Sequence, residues 1–462
     1  MLLLEIKNTT SRLTGLDRAQ HKLLSDTLSY EIEGSAFAMR SLPKGAWDGR
    51  KRLLQRDGSF PAGLTLDVAK WLKEHNLQPQ IKDLRNKAEI TKIPIEMKSG
   101  LEPRPFQAEA VTIATSGNKP RGIFVIGTGG GKSITAAMII GAIKTPTLFV
   151  TPDKGLKVQT LEVFRHWLGK GISDKIKGDA PIVVVNVHQI AKCEAKDLER
   201  FRMLMIDEFH HSAALQYLRL NMLAANCFYR YGFTGTPLRT DGKDMVMNGV
   251  LSNVLLRKTT SDLIDDGYLV PPYIHFVKHK LKGYSKLNYR DAYEAITSDQ
   301  EFNAKVGMLI REKAFSERKQ TIVLVRRVEH GHLLRSLLSD EAVFVSGEDS
   351  IEEREEVKRN FAKKNIRCMI ATNIFGEGQD IPSIDCLVNV RLQESEIQTK
   401  QGVGRALRLA FGARTFEESV RLGKSKAEIF DFLIEGNKHL RRHSESRISQ
   451  YRSEPRFTVT TD

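Results

Sequence analysis

The chain passes twice through one cycle: a short unbroken apolar stretch rich in β-branched residues, a turn, then a helical pattern. In the first pass the apolar stretches are Gly122–Ile126 (GIFVI), Thr147–Val150 (TLFV), Ile182–Val187 (IVVVNV), Met203–Ile206 (MLMI) and Tyr231–Thr234 (YGFT). In the second they are Thr321–Val325 (TIVLV), Ala342–Val345 (AVFV), Cys368–Ala371 (CMIA) and Cys386–Val390 (CLVNV). Strands covered on both faces read this way, because neither face tolerates polar residues. Strand and helix in alternation imply α/β domains with mainly parallel sheets. Two are expected, over 99–268 and 269–436, with the break near Asp266–Pro272 (DGYLVPP), where Gly and paired prolines interrupt regular structure.

The flanks read differently. Residues 1–98 mix amphipathic pieces with a turn-rich centre, and predict a small separate α+β domain. From 437 to 462 the chain turns polar and basic (KHLRRHSESRISQYR), which predicts a helical extension or tail with a solvated face. At 462 residues the chain exceeds what one hydrophobic core organises. Its formal charge of +15 favours a polyanionic partner, since each neutralised phosphate releases a counterion. Cys193, Cys227, Cys368 and Cys386 are far apart and without metal-ligand spacing, so neither a disulfide framework nor a zinc site is expected. The apolar start meets Glu5 and Lys7 too early for a signal peptide, and no apolar run approaches the roughly 20 residues that span a bilayer. The expectation is a reduced cytoplasmic protein without membrane contact.

Val125–Ser133 (VIGTGGGKS) runs from a strand through three consecutive glycines into a helical pattern. Such a loop lets backbone N–H groups of Gly127, Thr128, Gly129, Gly130 and Gly131 wrap a phosphate, and the helix adds its positive end. Lys132 would reach the β- and γ-phosphates of ATP, and the Ser133 hydroxyl would ligate Mg2+. The strict phosphate-loop pattern asks for Gly at position 126, where this chain has Ile126. Downstream, Met203–His211 (MLMIDEFHH) ends an apolar strand in two carboxylates. Asp207 is placed to hold Mg2+, and Glu208 to polarise the attacking water as general base.

These segments resemble motifs I and II of the superfamily 2 helicases, in which the first glycine is usually replaced. Further segments follow in family order. Arg104–Gln107 (RPFQ) is similar to the upstream motif whose Gln107 would read the adenine edge. Phe149–Asp153 (FVTPD) resembles motif Ia, and Thr234–Pro237 (TGTP) motif III. Ala371–Pro382 (ATNIFGEGQDIP) resembles motif V, whose Gly378 and Asp380 would face the nucleotide, and Gln401–Arg408 (QGVGRALR) motif VI. The resemblance covers roughly 100–410 and implies two tandem RecA-like P-loop domains. It assigns Gln401, Arg405 and Arg408 to catalysis. Arg405 and Arg408 are three apart and share a face if the segment is helical, so both would meet the charge that builds on the γ-phosphate.

Nucleic acid would be held through phosphate and sugar by Thr151, Thr236 and Thr372, a largely sequence-indifferent mode; each threonine also fits a strand-end cap. Trp47, Arg50, Lys51 and Arg52 join an aromatic ring to three cations, which suits stacking and phosphate contact or, equally, a turn with Trp47 in a small core. The same region, with Phe60–Leu64 (FPAGL), resembles the leading domain of the phage UvsW-like helicases, and the short core resembles the UvsW and XPB-like branch. That resemblance implies an ATP- and Mg2+-dependent motor on forked or branched DNA. It would act as a monomer beside replication or recombination proteins, in host cytoplasm if phage-encoded. The alternatives are an RNA helicase, a recruitment protein whose ATPase has decayed, and a P-loop kinase, which would leave the second α/β domain unexplained. The Lys- and Tyr-rich Lys278–Tyr293 reads as a solvated helix face or loop, or as a DNA-contacting insertion.

Overall fold

The computed structural model describes residues 1–32, 35, 47–86, 92–208, 214–235, 244–338, 341–372, 384–394 and 402–462. The chain divides into two compact units: Met1–Ile126 with Gly131–Arg257, and Gly127–Gly130 with Lys258–Asp462. The main division therefore falls at Arg257/Lys258, upstream of the Pro-rich break expected near 268.

The first unit is built on a seven-stranded sheet. Its spatial order is Val254–Lys258, Arg121–Ile126, Tyr229–Thr234, Met203–Asp207, Thr147–Thr151, Ile182–Asn186 and Ile172–Ser173. From Arg121–Ile126 outward to Ile172–Ser173 every pairing is parallel. Every residue of Thr147–Thr151, Ile182–Asn186 and Met203–Asp207 is buried, which is why these strands read as unbroken apolar runs. Parallel strands bring their C-terminal ends to one edge. Registers Thr234↔Val125 and Asp207↔Phe233 set the ends of three adjacent strands level there, at the edge where sheets of this kind take ligands.

The N-terminal residues form their own four-stranded sheet, ordered Ser59–Pro61, Thr10–Thr14, Leu3–Ile6, Gln80–Asp83, with two antiparallel pairings and one parallel. Helix Arg18–Thr27 starts at a reciprocal cap: Asp17 accepts the Gln20 N–H at 2.8 Å, and the Gln20 side chain accepts the Asp17 N–H at 3.1 Å. Leu4, Leu13, Leu24, Phe60, Val68 and Trp71 fill its core, so Trp71 rather than Trp47 is the core indole. This α+β layer belongs to the same compact unit as the first sheet. Asn8 Nδ2 donates to the Ala225 carbonyl at 3.0 Å, and Asn221 Nδ2 to the Thr9 carbonyl at 3.2 Å. At Gly63 a Cβ would lie 1.9 Å from the Asn248 carbonyl oxygen, so only glycine permits the approach.

The second unit carries another seven-stranded sheet: Ala342–Val345, Cys368–Ala371, Thr321–Leu324, Cys386–Asn389, Ala427–Glu435, Pro272–Lys280 and Thr458–Thr461, parallel throughout. The expected α/β class with mainly parallel sheets is therefore the observed one. The basic stretch from 437 is helical, as expected, but not a free tail: helix Lys438–Arg452 buries Leu440, His443, Ser444, Arg447 and Tyr451, and Thr458–Thr461 is an edge strand of the sheet. Arg447 is fully buried because Asp431, equally buried, pairs with it at 2.9 Å. Lys278–Tyr293 is likewise no insertion. It comprises the end of strand Pro272–Lys280, a loop, and the start of helix Tyr289–Ser298, with Tyr293 in the core. All four cysteines are buried thiols, as expected of small core residues, and burial pushes Cys227 up to about 11 and Cys368 to about 12.

Candidate nucleotide site

Strand Arg121–Ile126 ends in the glycine loop, and helix Lys132–Ile143 leaves it. Gly129 (φ +86°) and Gly131 (φ +83°) occupy the left-handed region, and the Gly130 N–H closes a turn on the Gly127 carbonyl at 2.9 Å. At Gly131 a Cβ would also sit 2.8 Å from Gln107 Nε2, so glycine is required by conformation and by space. Gln107 is buried, and its Oε1 accepts the Arg104 N–H at 3.0 Å. That fixes the amide in the first turn of helix Pro105–Thr115 and lays its nitrogen against the loop.

Two strands away, Met203–Asp207 delivers both acids to the same edge. Lys132 Nζ and Glu208 Oε1 are 2.7 Å apart, with side chains 13% and 8% exposed. Glu208 itself has φ +45°, the left-handed region that non-glycine residues enter at a cost of about 1–2 kcal/mol. Strain held at a charged, buried residue on a strand end marks a position set by its chemistry. Asp207 lies behind it, its Oδ1 accepting the Glu208 N–H at 3.0 Å. Burial holds the Asp207 carboxyl well above the usual range, the neighbouring Glu208 charge adds to this, and Lys132 opposes it. A divalent cation would restore the ionised form, so the donor chemistry fits Mg2+ that would be held by Asp207, the Ser133 hydroxyl in the first turn of helix Lys132–Ile143, and phosphate oxygens. Among the described residues no group of three His, Cys, Asp or Glu could hold a metal alone.

The expected nucleic-acid residues fare differently. Thr151 is fully buried, and its hydroxyl donates to the carbonyls of Asp153 at 3.0 Å and Val185 at 3.3 Å. The hydroxyl thus acts as the strand-end cap that sequence also allowed. Thr372 is buried as well, its N–H donated to the Val345 carbonyl at 3.2 Å. Trp47 donates its indole N–H to the Arg50 carbonyl at 2.9 Å. Arg50 and Arg52 belong to strand Arg50–Arg52, paired with Ser29–Glu31. Arg50 is bound to Ser29 through two donors, and Arg52 grips Asp26 and Asp48, holding the Asp48 carboxyl down at about 2. Two of the three cations thus stabilise the ribbon itself. Thr236, Gly378, Asp380 and Gln401 lie outside the described residues.

Arg405 and Arg408 lie in the second unit, and the helical face they were expected to share is corrected. The described helix covers 402–406, and Arg408 lies past its end in a bridge with Leu269. Arg405 is buried, and burial depresses the Arg408 guanidinium. Sequence reasoning passed over Arg391 and Lys424, both buried beside this segment. The signal was a cation directly after the apolar run Cys386–Val390.

Comparison with known proteins agrees with this geometry. Residues 100–239 match the family model "Type III restriction enzyme, res subunit", and 304–410 match "Helicase conserved C-terminal domain". The chain is 27% identical to the ATP-dependent DNA helicase uvsW of enterobacteria phage T4, over 83% of both chains. It is 25% identical to the DNA 3'-5' translocase XPB2 of Sulfurisphaera tokodaii, over 73% of this chain and 85% of that one. A fragment of a type I restriction enzyme HsdR subunit from Vibrio vulnificus shares the fold, with TM-score 0.58 at 20% identity over 78% of this chain and 68% of that one. A glycine loop, a lysine and two strand-end acids on one parallel sheet, followed by a second such sheet, define an ATP-dependent helicase of tandem RecA-like build. Within that class, the chain is similar over most of its length to the UvsW-like and XPB-like helicases of superfamily 2.

Proposed function

We propose that this helicase converts ATP hydrolysis into movement along DNA and remodels forked or branched DNA. The observation that carries the chemistry is the Lys132–Glu208 pair at 2.7 Å beside Asp207, behind a loop that only glycine can form. Similarity to a phage DNA helicase and an archaeal DNA translocase over most of the chain supports DNA as the track. Bound Mg2+ would neutralise phosphate charge. The chain's own residues do the rest. Lys132 leaves Glu208 for the β- and γ-phosphates, which frees the Glu208 carboxylate to take a proton from the attacking water. Gln107, pinned by Arg104, orients the base of the nucleotide. Arg405 and Arg408 supply positive charge to the γ-phosphate as negative charge builds there in the transition state.

The surplus of +15 supports a phosphate-dominated, salt-sensitive grip on the track. The proposal extends to a monomer working with replication or recombination proteins, in the cytoplasm of a host cell. Among the described residues no helix is long and apolar enough to cross a membrane. ATPase and strand-separation assays on duplex, forked, three-way and four-way DNA, with matched RNA, test the reading. Forked and branched DNA should stimulate most. Equal or greater stimulation by RNA would overturn the choice of track.

A further inference from the structure

The described helical residues 402–406, which include Arg405, are met by two buried cations from other parts of the second unit. The Arg391 guanidinium lies against Gly402, where a Cβ would come within 2.9 Å of Arg391 Nη2. At their C-terminal end, Lys424 Nζ donates to the Ala406 carbonyl at 3.0 Å. A cation on the last carbonyl of a helix satisfies an acceptor that the helix cannot, and opposes the negative end of its dipole.

Neither grip is a surface accident. Arg391 is 5% exposed and Lys424 4% exposed, so each ammonium or guanidinium has been taken out of water to reach its position. Arg391 Nε donates to Asn389 Oδ1 at 3.2 Å, and Asn389 Nδ2 donates to Asp431 Oδ2 at 2.8 Å. Asp431 is in turn held by Arg447 from helix Lys438–Arg452. A continuous buried polar chain therefore runs from the C-terminal helix, through two adjacent strands, to Arg391, which packs against Gly402. On the other side, the Ser419 hydroxyl donates to the Lys424 carbonyl at 2.7 Å and accepts the Ala410 N–H at 2.9 Å. The chain leaving the turn is thereby tied to the element that supplies Lys424. Arg391 packs against Gly402 and Lys424 binds the Ala406 carbonyl, and between these two points lie Val403, Gly404 and Arg405.

We propose that Arg391 and Lys424 are positioning residues that clamp the backbone of 402–406 and so set the reach of Arg405 toward the γ-phosphate. The inference rests on the assignment of Arg405 as the residue that meets transition-state charge. Charge placed for a transition state loses its effect steeply with position, about 100-fold in rate for a displacement near 1 Å. A loosened clamp should thus lower kcat and leave ATP binding, made by the glycine loop, Lys132 and Gln107, nearly untouched.

The test uses the full chain with saturating forked DNA and compares Lys424→Met, Lys424→Arg, Arg391→Met, Arg391→Lys and Arg405→Ala. Steady-state ATPase gives kcat and KM, and thermal unfolding identifies variants that have lost the fold. Lys424→Met and Arg391→Met should each lower kcat by about 10- to 100-fold with KM for ATP within about twofold. Lys424→Arg, which keeps the donor and charge, should recover most of the loss. Added to Arg405→Ala, Lys424→Met should cost little more, because a clamp has nothing left to position. If Arg405→Ala abolishes turnover while folded Lys424→Met and Arg391→Met both keep kcat, the clamp is wrong and the arginine assignment stands. If Arg405→Ala itself leaves kcat unchanged, that assignment falls and the clamp with it. If Lys424→Met adds its full loss on top of Arg405→Ala, the lysine acts elsewhere and the inference fails.

Discussion

Replacing Arg447 by Met should unfold the second unit well before the first. Arg447 and Asp431 side chains are 1% and 0% exposed, and three contacts between them lie at 2.9–3.2 Å. Met removes the paired cation and leaves Asp431 with the Phe432 N–H at 2.6 Å, the Asn389 amide at 2.8 Å and the Tyr451 hydroxyl at 3.4 Å, with Arg391 the buried charge that remains near it. Breaking a buried pair from one side costs about 3–5 kcal/mol. For a unit of this size that lowers the melting temperature by about 6–20 °C, at about 2–4 °C per kcal/mol. Calorimetry should show the second-unit transition moving. Tryptophan fluorescence should move little, because Trp47, Trp71 and Trp167 all lie in the first unit. Removing both charges, as Arg447→Met with Asp431→Leu, should restore much of the loss, since a buried pair is replaceable by apolar packing. A loss under about 1 kcal/mol for Arg447→Met alone, or no recovery in the double variant, would refute the view that this pair holds the C-terminal helix.

Other outcomes follow from the nucleotide site. Gly131→Ala puts a side chain at φ +83° and 2.8 Å from Gln107 Nε2, so it should cost at least about 1–2 kcal/mol in denaturant unfolding and weaken binding of a fluorescent ATP analogue. Asp207, with its carboxyl raised by burial, binds more protons folded than unfolded between the ordinary carboxylate range and its folded value. Its contribution to stability therefore falls as pH rises through that window, by at most about 1.4 kcal/mol per pH unit. Denaturation of wild type and Asp207→Asn at pH 5 to 8 checks this: the wild type should lose ground to the variant as pH rises, and parallel curves would contradict it. Arg52→Ala removes the partner of Asp26 and Asp48 in the N-terminal ribbon, so local hydrogen exchange at Arg50–Arg52 should rise, with ATPase in the absence of DNA unchanged.

The inner strands of both sheets were legible because burial on two faces forbids polar residues, and Thr147–Thr151 or Cys368–Ala371 show it residue by residue. The outer strands of the second sheet were not. Pro272–Lys280 alternates buried and open positions through His275 and Lys278, and Ala427–Glu435 carries Asp431, which reads as a surface acid. Only its pairing with Arg447, sixteen residues away, makes burial tolerable, and no local pattern announces a remote partner. The glycine loop and strand-end acids were plain because phosphate chemistry restricts residue type and spacing together. Arg408 was misjudged for a tertiary reason. Its backbone bridges to Leu269, and the Val270 N–H takes the Leu407 carbonyl at 2.8 Å, so the helix stops before the second arginine. Thr151 shows the same limit, since a hydroxyl on a strand end looks alike in sequence whether it faces solvent or the next strand.

Single-turnover hydrolysis by Glu208→Gln, with bound ATP measured in parallel on forked DNA, tests most directly whether the strained carboxylate beside Lys132 is the general base. The variant should bind ATP at least as tightly as wild type, because the competing charge on Lys132 is gone, and hydrolyse it at least about 100-fold more slowly. Hydrolysis at the wild-type rate would place the chemistry elsewhere in the molecule.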